Sequence, residues 1–421
     1  MAFWFKRLKP EILVAKVIFK IILEAVSMIP PLLLDVQSHH NVLDMCAAPG
    51  SKTAQIIEKL HENAEEPTGL VIANDSNYDR SCLLVSQIRR LCSPNSMVTN
   101  HDAQNFPFIY RDIDGFSTPL LFDRVLADVP CTGDGTLRKN KGIWSTWSPC
   151  QANHLFKVQT LIFQRGVELL KIGGMIVYST CSFNPIENEA VVAHLLNTCG
   201  GSLELLDVSD KLPALKRSPG LSTWKVMGGK DSQLFDRIED VPICKENRSI
   251  CKELFPPENV SSLGLEKCMR ILPQAQDTGG FFVAVFRKTG SFGSLDSKQP
   301  IEKVAVAPVV LQTLESEKNE SDSKRIKVQD EEPKDEVKTK KSKRSDPRVW
   351  TRKEADFLFL DGQCKDVSEI VSFYGLNSTL SRDNFLVRSD KEQKQIIYYC
   401  SDGIKQIIQA RNAYKLQVNF H

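Results

Sequence analysis

Short apolar runs alternate with amphipathic stretches between residue 41 and about residue 288, and this alternation limits the possible folds more than any other feature. Apolar runs rich in β-branched residues predict buried strands, and apolar residues three and four positions apart predict helices. The predicted strands are 42–45, 70–73, 97–100, 124–127 and 175–178, with a late strand at 279–286 that closes the domain. The predicted helices are 53–60, 79–91 and 154–170, the last one stopped by Gly173 and Gly174. This order predicts an α/β protein with a doubly wound parallel sheet.

The chain's 421 residues exceed one typical core, so more than one domain is expected. Residues 289–348 are rich in Ser, Glu, Lys and Asp and predict a disordered charged linker, and strand-like and helix-like patterns return over 349–421 as a small α+β module. Residues 1–23 form an atypical N-terminal segment, in which Lys16 and Lys20 interrupt an apolar run that is too short to favour a membrane span. Residues 24–288 remain as the main α/β domain.

The net charge of +2 neither favours nor excludes a nucleic-acid partner, so any basic surface must be local. The basic clusters at 324–327 and 338–344 have three interpretations that stay open: nuclear import, contact with phosphates, or solvated charge. None of the 12 cysteines has C-x-x-C spacing, so neither a metal site nor a dithiol redox site is predicted. Without a secretory signal pattern, we expect reduced thiols.

A turn of small residues follows the first predicted strand, where a ligand could approach the backbone closely. Its residues are Cys46, Ala47, Ala48, Pro49, Gly50, Ser51 and Lys52. The helix that follows would place its free N–H groups at the same point. The turn matches neither the dinucleotide-binding G-x-G-x-x-G pattern nor the P-loop pattern.

Three acids follow successive predicted strands: Asp75, Asp102 and Asp128. An acid after the second strand suits two ribose hydroxyls, and one after the third suits an adenine amine. A single acid at such a position is more often a helix N-cap. Three of them beside the Pro49-Gly50 turn favour a nucleoside cofactor over three independent caps.

Cys131 and Cys181 each follow a predicted strand, in Asp-Val-Pro-Cys-Thr-Gly and Tyr-Ser-Thr-Cys-Ser contexts. Lone cysteines usually behave as small buried apolar residues, and we accept that interpretation for most of the 12, including Cys82, Cys92, Cys150 and Cys199. Since reactive groups in α/β sheets collect beyond the carboxyl ends of the strands, the two strand-end thiols could share one reaction.

These motifs, with the segment at 27–34, resemble the Sun-domain RNA cytosine-5 methyltransferases, nearest to the eukaryotic tRNA-modifying members, over about 24–288. The resemblance implies a Rossmann-like methyltransferase fold, S-adenosylmethionine as cofactor, and a PUA-like RNA-binding module at the C-terminus. It implies that residues 46–52 wrap the cofactor, Asp75 holds the ribose and Asp102 the adenine. Asp128 would then lie between the methionine end and the base.

The resemblance also implies that Cys181 is the nucleophile and Cys131 assists product release. A thiolate adds to cytosine C6 so that C5 can take the methyl group. DNA cytosine-5 methyltransferases have their nucleophile in a Pro-Cys motif, which makes Cys131 a rival; the Thr-Cys motif favours Cys181.

We therefore expect a monomeric enzyme forming 5-methylcytosine in tRNA, in the nucleus and nucleolus, without a metal or membrane partner. Other RNA substrates and a cytoplasmic pool stay open. A different class of function is an RNA scaffold that binds the cofactor with little turnover, because residues 1–23 replace the family's RNA-contacting region. Methylation of a small molecule or protein is a third reading, in which two strand-end cysteines have no clear purpose.

Overall fold

The structure is a computed structural model that describes residues 25–113, 116–228, 233–293, 301–302, 357–377, 379–387, 396–410 and 418–419. The strands are β1 (Asn41–Asp44), β2 (Leu70–Asn74), β3 (Ser96–Thr99), β4 (Tyr110–Ile113), β5 (Phe116–Pro119), β6 (Phe122–Asp128), β7 (Leu170–Thr180), β8 (Leu203–Leu205), β9 (Ser218–Pro219), β10 (Val226–Gly228), β11 (Gln233–Phe235), β12 (Met269–Ile271), β13 (Phe281–Lys288), β14 (Ile301–Glu302), β15 (Leu358–Phe359), β16 (Phe385–Val387), β17 (Tyr398–Tyr399) and β18 (Val418–Asn419). The α-helices are α1 (Ile29–Leu33), α2 (Ser51–His61), α3 (Tyr78–Ile88), α4 (Ile143–Thr146), α5 (Gln151–Leu169), α6 (Glu189–Thr198), α7 (Pro273–Gln276), α8 (Lys365–Tyr374) and α9 (Asp402–Ala410). The expected N-terminal segment and nearly all of the expected linker lie outside the described residues.

Among the described residues, the main sheet has ten strands in the order β18-β3-β2-β1-β6-β7-β13-β12-β9, with β8 also paired to β13. The pairs from β3 through β2, β1 and β6 to β7 are all parallel, which confirms the doubly wound α/β prediction. The late strand β13 is antiparallel to both β7 and β12, so the sheet is mixed rather than wholly parallel. The short connection from β12 to β13 explains why these two strands are antiparallel, because a parallel pair needs a crossover of a dozen or more residues.

The prediction that Gly173 and Gly174 stop the third helix was wrong. Helix α5 ends at Leu169, Leu170 is already extended, and both glycines lie within β7. Gly173 has a φ of +84°, a conformation that side-chain-bearing residues rarely adopt. The two glycines therefore serve a local irregularity where the β6–β7 register shifts between Phe122 and Arg124.

Side chains alternate between the two faces of the sheet, and each face is covered by its own apolar core. Leu43 and Val125 belong to the core that contains Phe163 of α5, whereas Val42 and Leu126 belong to the core on the opposite face. Because the central strands are buried on both faces, polar side chains gather where the strands end. The carboxyl ends of β1, β2, β6 and β7 therefore form one polar edge.

The described C-terminal residues form an α+β arrangement, as predicted. Strands β15, β16 and β17 pair into a small antiparallel sheet, and α9 buries Ile404 and Ile407. Ser401 N donates a hydrogen bond to Pro94 O (2.9 Å), and the described residues on both sides of this contact belong to one compact unit. The domain boundaries drawn from the sequence stay a prediction. Within the described ranges, no helix combines the length and apolar character that crossing a bilayer requires.

Candidate active site

The β1–α2 turn, Asp128 and the two predicted cysteines come together at the carboxyl ends of β1, β6 and β7. Strand β1 lies between β2 and β6, so the direction of strand order reverses there and a crevice opens above it. Asp128 is the last residue of β6 and stands in register with Ser179 of β7. Two to three residues beyond this pair, the chain reaches Cys131 and Cys181. The topology therefore assembles residues that are about fifty positions apart.

The β1–α2 turn (residues 46–52) is held tightly against β2. Ala47 N donates to Asn74 O (2.7 Å), and Ala48 N donates to Asp75 Oδ2 (3.2 Å). Gly50 has a φ of +110°, and a Cβ there would lie 3.0 Å from Leu84 Cδ1. Gly50 is therefore required both by its backbone conformation and by the close approach of α3. The turn places the N-terminus of the eleven-residue helix α2 at the crevice.

Asp75 and Asp102 differ sharply in their surroundings. Asp75 is buried, and its two carboxylate oxygens accept hydrogen bonds from Ala48 N and Asn77 N. It therefore fixes the β1–α2 turn, and its remaining lone pairs could accept ribose hydroxyls. Asp102 is exposed and caps a short 3₁₀ helix through a hydrogen bond from Gln104 N (3.1 Å), which is the capping role weighed against a cofactor contact. The ribose and adenine roles stay predictions.

Lys52 and Asp128 form an ion pair that joins the β1–α2 turn to the end of β6. Lys52 Nζ lies 2.7 Å from Asp128 Oδ2, and Ser179 Oγ donates to Asp128 Oδ1 (2.7 Å). The ammonium of Lys52 also lies 5.3 Å from the centre of the Phe281 ring. Asp128 is thereby oriented from two neighbouring elements, while a quarter of its side chain stays exposed.

Cys131 Sγ and Cys181 Sγ are 3.3 Å apart. The hydrogen bond from Cys131 lowers the pKa of Cys181 below its ordinary value of 9.0, against the opposing effects of burial and of Asp128. The same hydrogen bond, together with burial, raises the pKa of Cys131 well above 9.0. The pair therefore favours a thiolate at Cys181 and a thiol at Cys131. The thiolate is the nucleophilic form of cysteine, so Cys181 is the more reactive of the two.

A buried carboxylate that the sequence did not single out, Glu187, joins the two cysteine-bearing loops. Its Oε1 accepts hydrogen bonds from Thr132 N (2.9 Å) and Gln159 Nε2 (3.0 Å). Its Oε2 accepts from Thr132 Oγ1 (2.6 Å) and Ser182 Oγ (2.5 Å). Thr132 follows Cys131 and Ser182 follows Cys181, so one carboxylate fixes the residue beside each thiol. The only sequence signal is an acid shortly after the Asn184-Pro185 turn, which gives no hint of a contact across 55 residues.

The residues around the β1–α2 turn suit a nucleoside with a charged tail. The N-terminus of α2 offers N–H donors, and Lys52 offers a positive charge. Asp128 and the buried Asp75 offer hydrogen-bond acceptors with negative charge. Half-buried Cys46 stays a neutral thiol, because burial raises its pKa well above 9.0. Among the described residues, no cluster of three His, Cys, Asp or Glu side chains could hold a metal ion.

Two parts of the chain match known protein families. Residues 31–216 match the family described as 16S rRNA methyltransferase RsmB/F. Residues 356–420 match the family described as NSUN2 Pre-PUA domain. The first match contains the β1–α2 turn, the three acids and both cysteines of the crevice. The second contains the small C-terminal sheet and α9.

Three curated relatives show how far the likeness extends. The chain is 43% identical over 392 residues to the tRNA (cytosine(34)-C(5))-methyltransferase of Drosophila melanogaster, covering 91% of this chain and 51% of the relative. It is 41% identical over 394 residues to the multisite-specific tRNA:(cytosine-C(5))-methyltransferase of Saccharomyces cerevisiae, covering 92% and 53%. It is 34% identical over 265 residues to the tRNA (cytosine(49)-C(5))-methyltransferase of Pyrococcus abyssi, covering 63% and 69%. The chain thus spans about half the length of the two eukaryotic relatives.

Proposed function

Because the chain belongs to the RsmB/F methyltransferase family, we propose that it forms 5-methylcytosine in tRNA with S-adenosylmethionine as methyl donor. The observation that carries the proposal is the 3.3 Å separation of Cys131 Sγ and Cys181 Sγ at the ends of adjacent parallel strands. Two thiols in contact beside a nucleoside-binding turn suit covalent activation of a pyrimidine. The relatives' names supply tRNA as the substrate.

Cys181 is the nucleophile in this proposal. Its thiolate adds to C6 of the target cytosine, forming a carbon–sulfur bond and making C5 electron-rich. Asp128, held by Lys52 and Ser179, faces the crevice and hydrogen-bonds the N3/N4 edge of the ring, where charge changes during the addition. When bound, S-adenosylmethionine supplies an electrophilic methyl group to C5.

Cys131 assists the release of product. After methylation, a base removes the C5 proton, and the bond between Cys181 Sγ and C6 then breaks. Cys131 retains its proton because its pKa is raised, so it can donate a hydrogen bond to the departing sulfur. Glu187 holds both cysteine loops in place throughout, since its partners are the residues next to each thiol.

Incubation of the protein with unmodified tRNA transcripts and S-adenosylmethionine, followed by bisulfite sequencing, tests the activity. With wild-type protein, defined cytosines should become resistant to bisulfite conversion over many turnovers. With the Cys181→Ala variant, none should. Cofactor binding without any protected cytosine would instead support the alternative of an RNA scaffold. Sequencing of RNA from cells that lack the protein would identify the modified position.

We further propose that the protein acts as a monomer in the nucleus and nucleolus. The basic clusters at 324–327 and 338–344 support nuclear import, since runs of Lys and Arg are typical import signals. Replacing the basic residues of 338–344 with alanine should shift a fluorescent fusion to the cytoplasm. Light scattering of the purified protein should give a mass near 47.4 kDa; twice that value would contradict the monomer.

A further inference from the structure

The chain from Gly133 to Pro149 forms a loop beside the cysteine pair, and the proposed mechanism leaves this loop unused. Gly135 N donates a hydrogen bond to Cys181 O (2.8 Å), near the start of the loop. At its other end, Pro149 O accepts a hydrogen bond from Asn184 Nδ2 (3.2 Å). Since both contacts reach the segment that follows β7, the loop borders the catalytic crevice.

Trp144 projects from this loop with 72% of its surface exposed. Its indole Nε1 donates to Leu137 O (3.1 Å), so the only polar group of the side chain is already satisfied within the loop. What Trp144 offers to a partner is therefore the flat face of its ring rather than a hydrogen bond. Trp224, by contrast, is buried at 8% and belongs to the core.

The loop carries Trp144 on a defined framework. Ile143 packs over Gly133, where an added Cβ would lie 3.3 Å from Ile143 Cδ1. Arg138 Nη2 lies 2.7 Å from Asp277 Oδ1, which ties the middle of the loop to the chain before β13. Trp144 N donates a hydrogen bond to Lys141 O (3.3 Å), and Lys141 is exposed, so the loop carries a positive charge three residues before Trp144. An aromatic face beside a cation is the combination by which proteins bind unpaired nucleotides.

Resting on the proposed function, we propose that Trp144 stacks on an unpaired base that flanks the target cytosine, while Lys141 contacts a backbone phosphate. Cysteine attack at C6 requires the target base to leave its stack, which exposes the faces of its neighbours. The indole can replace the lost stacking without sequence preference, because every base has a π-face. The partner is therefore single-stranded or locally unpaired RNA.

Filter binding of the full chain to an unmodified tRNA transcript, at several salt concentrations, tests this inference. Since stacking is worth about 1–3 kcal/mol per base, Trp144→Ala and Trp144→Leu should each raise the Kd about tenfold, whereas Trp144→Phe should stay within about threefold of wild type. Phe116→Ala, which removes another exposed ring (45%) from β5, outside the C-terminal module, should leave RNA affinity as in the wild type. Lys141→Ala should reduce the slope of log Kd against log salt by about 0.7.

Wild-type affinity in Trp144→Leu would overturn the stacking role, because leucine keeps apolar bulk without a ring. A wild-type salt slope in Lys141→Ala would overturn the phosphate contact. The same assays separate this inference from the proposed function. If the wild type forms no 5-methylcytosine while the Trp144 variants still weaken RNA binding, the activity fails and the RNA surface stands. If the wild type methylates and all variants bind equally well, the surface fails alone.

Discussion

Lys52 Nζ lies 2.7 Å from Asp128 Oδ2, and this ion pair joins the β1–α2 turn to the strand that leads to Cys131. The two side chains are only 14% and 25% exposed, so solvent screens the pair weakly. This ion pair therefore connects the residues expected to bind the cofactor with those expected to act on the base.

Lys52→Met should lower stability and methylation together, because it removes the charge opposite Asp128 and keeps an apolar stem near Phe281. Removing one partner of a partly buried pair should cost about 1–3 kcal/mol, measured as a shift in the urea midpoint. Lys59 lies on the same helix as Lys52 and forms an exposed ion pair with Glu62. Lys59→Met should lower the free energy of unfolding by less than about 1 kcal/mol and leave methylation unchanged. Equal effects of the two substitutions would contradict a special role for Lys52.

Glu187→Gln should slow the reaction of Cys181, because an amide NH₂ replaces an oxygen that now accepts hydrogen bonds from the cysteine loops. The rate of Cys181 alkylation by iodoacetamide, measured by mass spectrometry, should fall severalfold. The free energy of unfolding should fall by about 1–3 kcal/mol. Glu189→Gln is the matched control, since Glu189 is also buried but pairs with Arg270 and Leu221 N. It should lose comparable stability and leave Cys181 alkylation as in wild type.

Cys131→Ala should raise the pH at which Cys181 becomes reactive. In the wild type, the hydrogen bond from Cys131 lowers the pKa of Cys181 below 9.0, so the midpoint of alkylation against pH should lie below 9.0. Removing the donor should move this midpoint upward, and Cys131→Ser, which keeps a hydroxyl donor, should restore part of the difference. A midpoint that stays constant or falls in Cys131→Ala would show that Cys131 does not stabilise the thiolate.

Asp44 should make the stability of the ligand-free protein fall as pH rises. Burial raises the pKa of Asp44 from 3.8 to about 7, and its Oδ1 has no hydrogen-bond partner among the described residues. Since the folded state holds this proton more tightly than the unfolded state, the stabilisation is complete below pH 3.8 and is lost as pH rises toward 7. Urea midpoints should therefore fall across this window more steeply in wild type than in Asp44→Asn. Parallel curves would contradict the assignment.

The strands and helices that build the crevice could be predicted because their signals are local. The apolar runs that end at Asp44, Asn74 and Asp128 are each short and rich in β-branched residues, a combination that favours a buried strand. The helix end predicted at Gly173 and Gly174 was wrong, because a glycine pair occurs at an irregularity within a strand as well as at the end of a helix. Local signals also missed the antiparallel direction of β13, which depends on a connection length rather than on composition.

Contacts between distant residues account for what the sequence could not supply at the site. The sequence placed Cys131 and Cys181 at two separate strand ends, but it could not give the 3.3 Å contact that differentiates the two thiols. Nor could it show that Lys52 faces Asp128 or that Glu187 reaches back 55 residues to Thr132. The adenine role of Asp102 stays a prediction, because a strand-end acid and an ordinary helix cap look the same in sequence.

The central claim is that Cys181 attacks the base and Cys131 assists release, and trapping the covalent intermediate tests it most directly. The Cys131→Ala and Cys181→Ala variants are each incubated with a tRNA transcript and S-adenosylmethionine and run on a denaturing gel. We expect a stable protein–RNA adduct with Cys131→Ala, because addition proceeds and elimination stalls, and none with Cys181→Ala. An adduct formed only by Cys181→Ala would reverse the two roles, and the absence of any adduct from both variants would contradict the covalent mechanism.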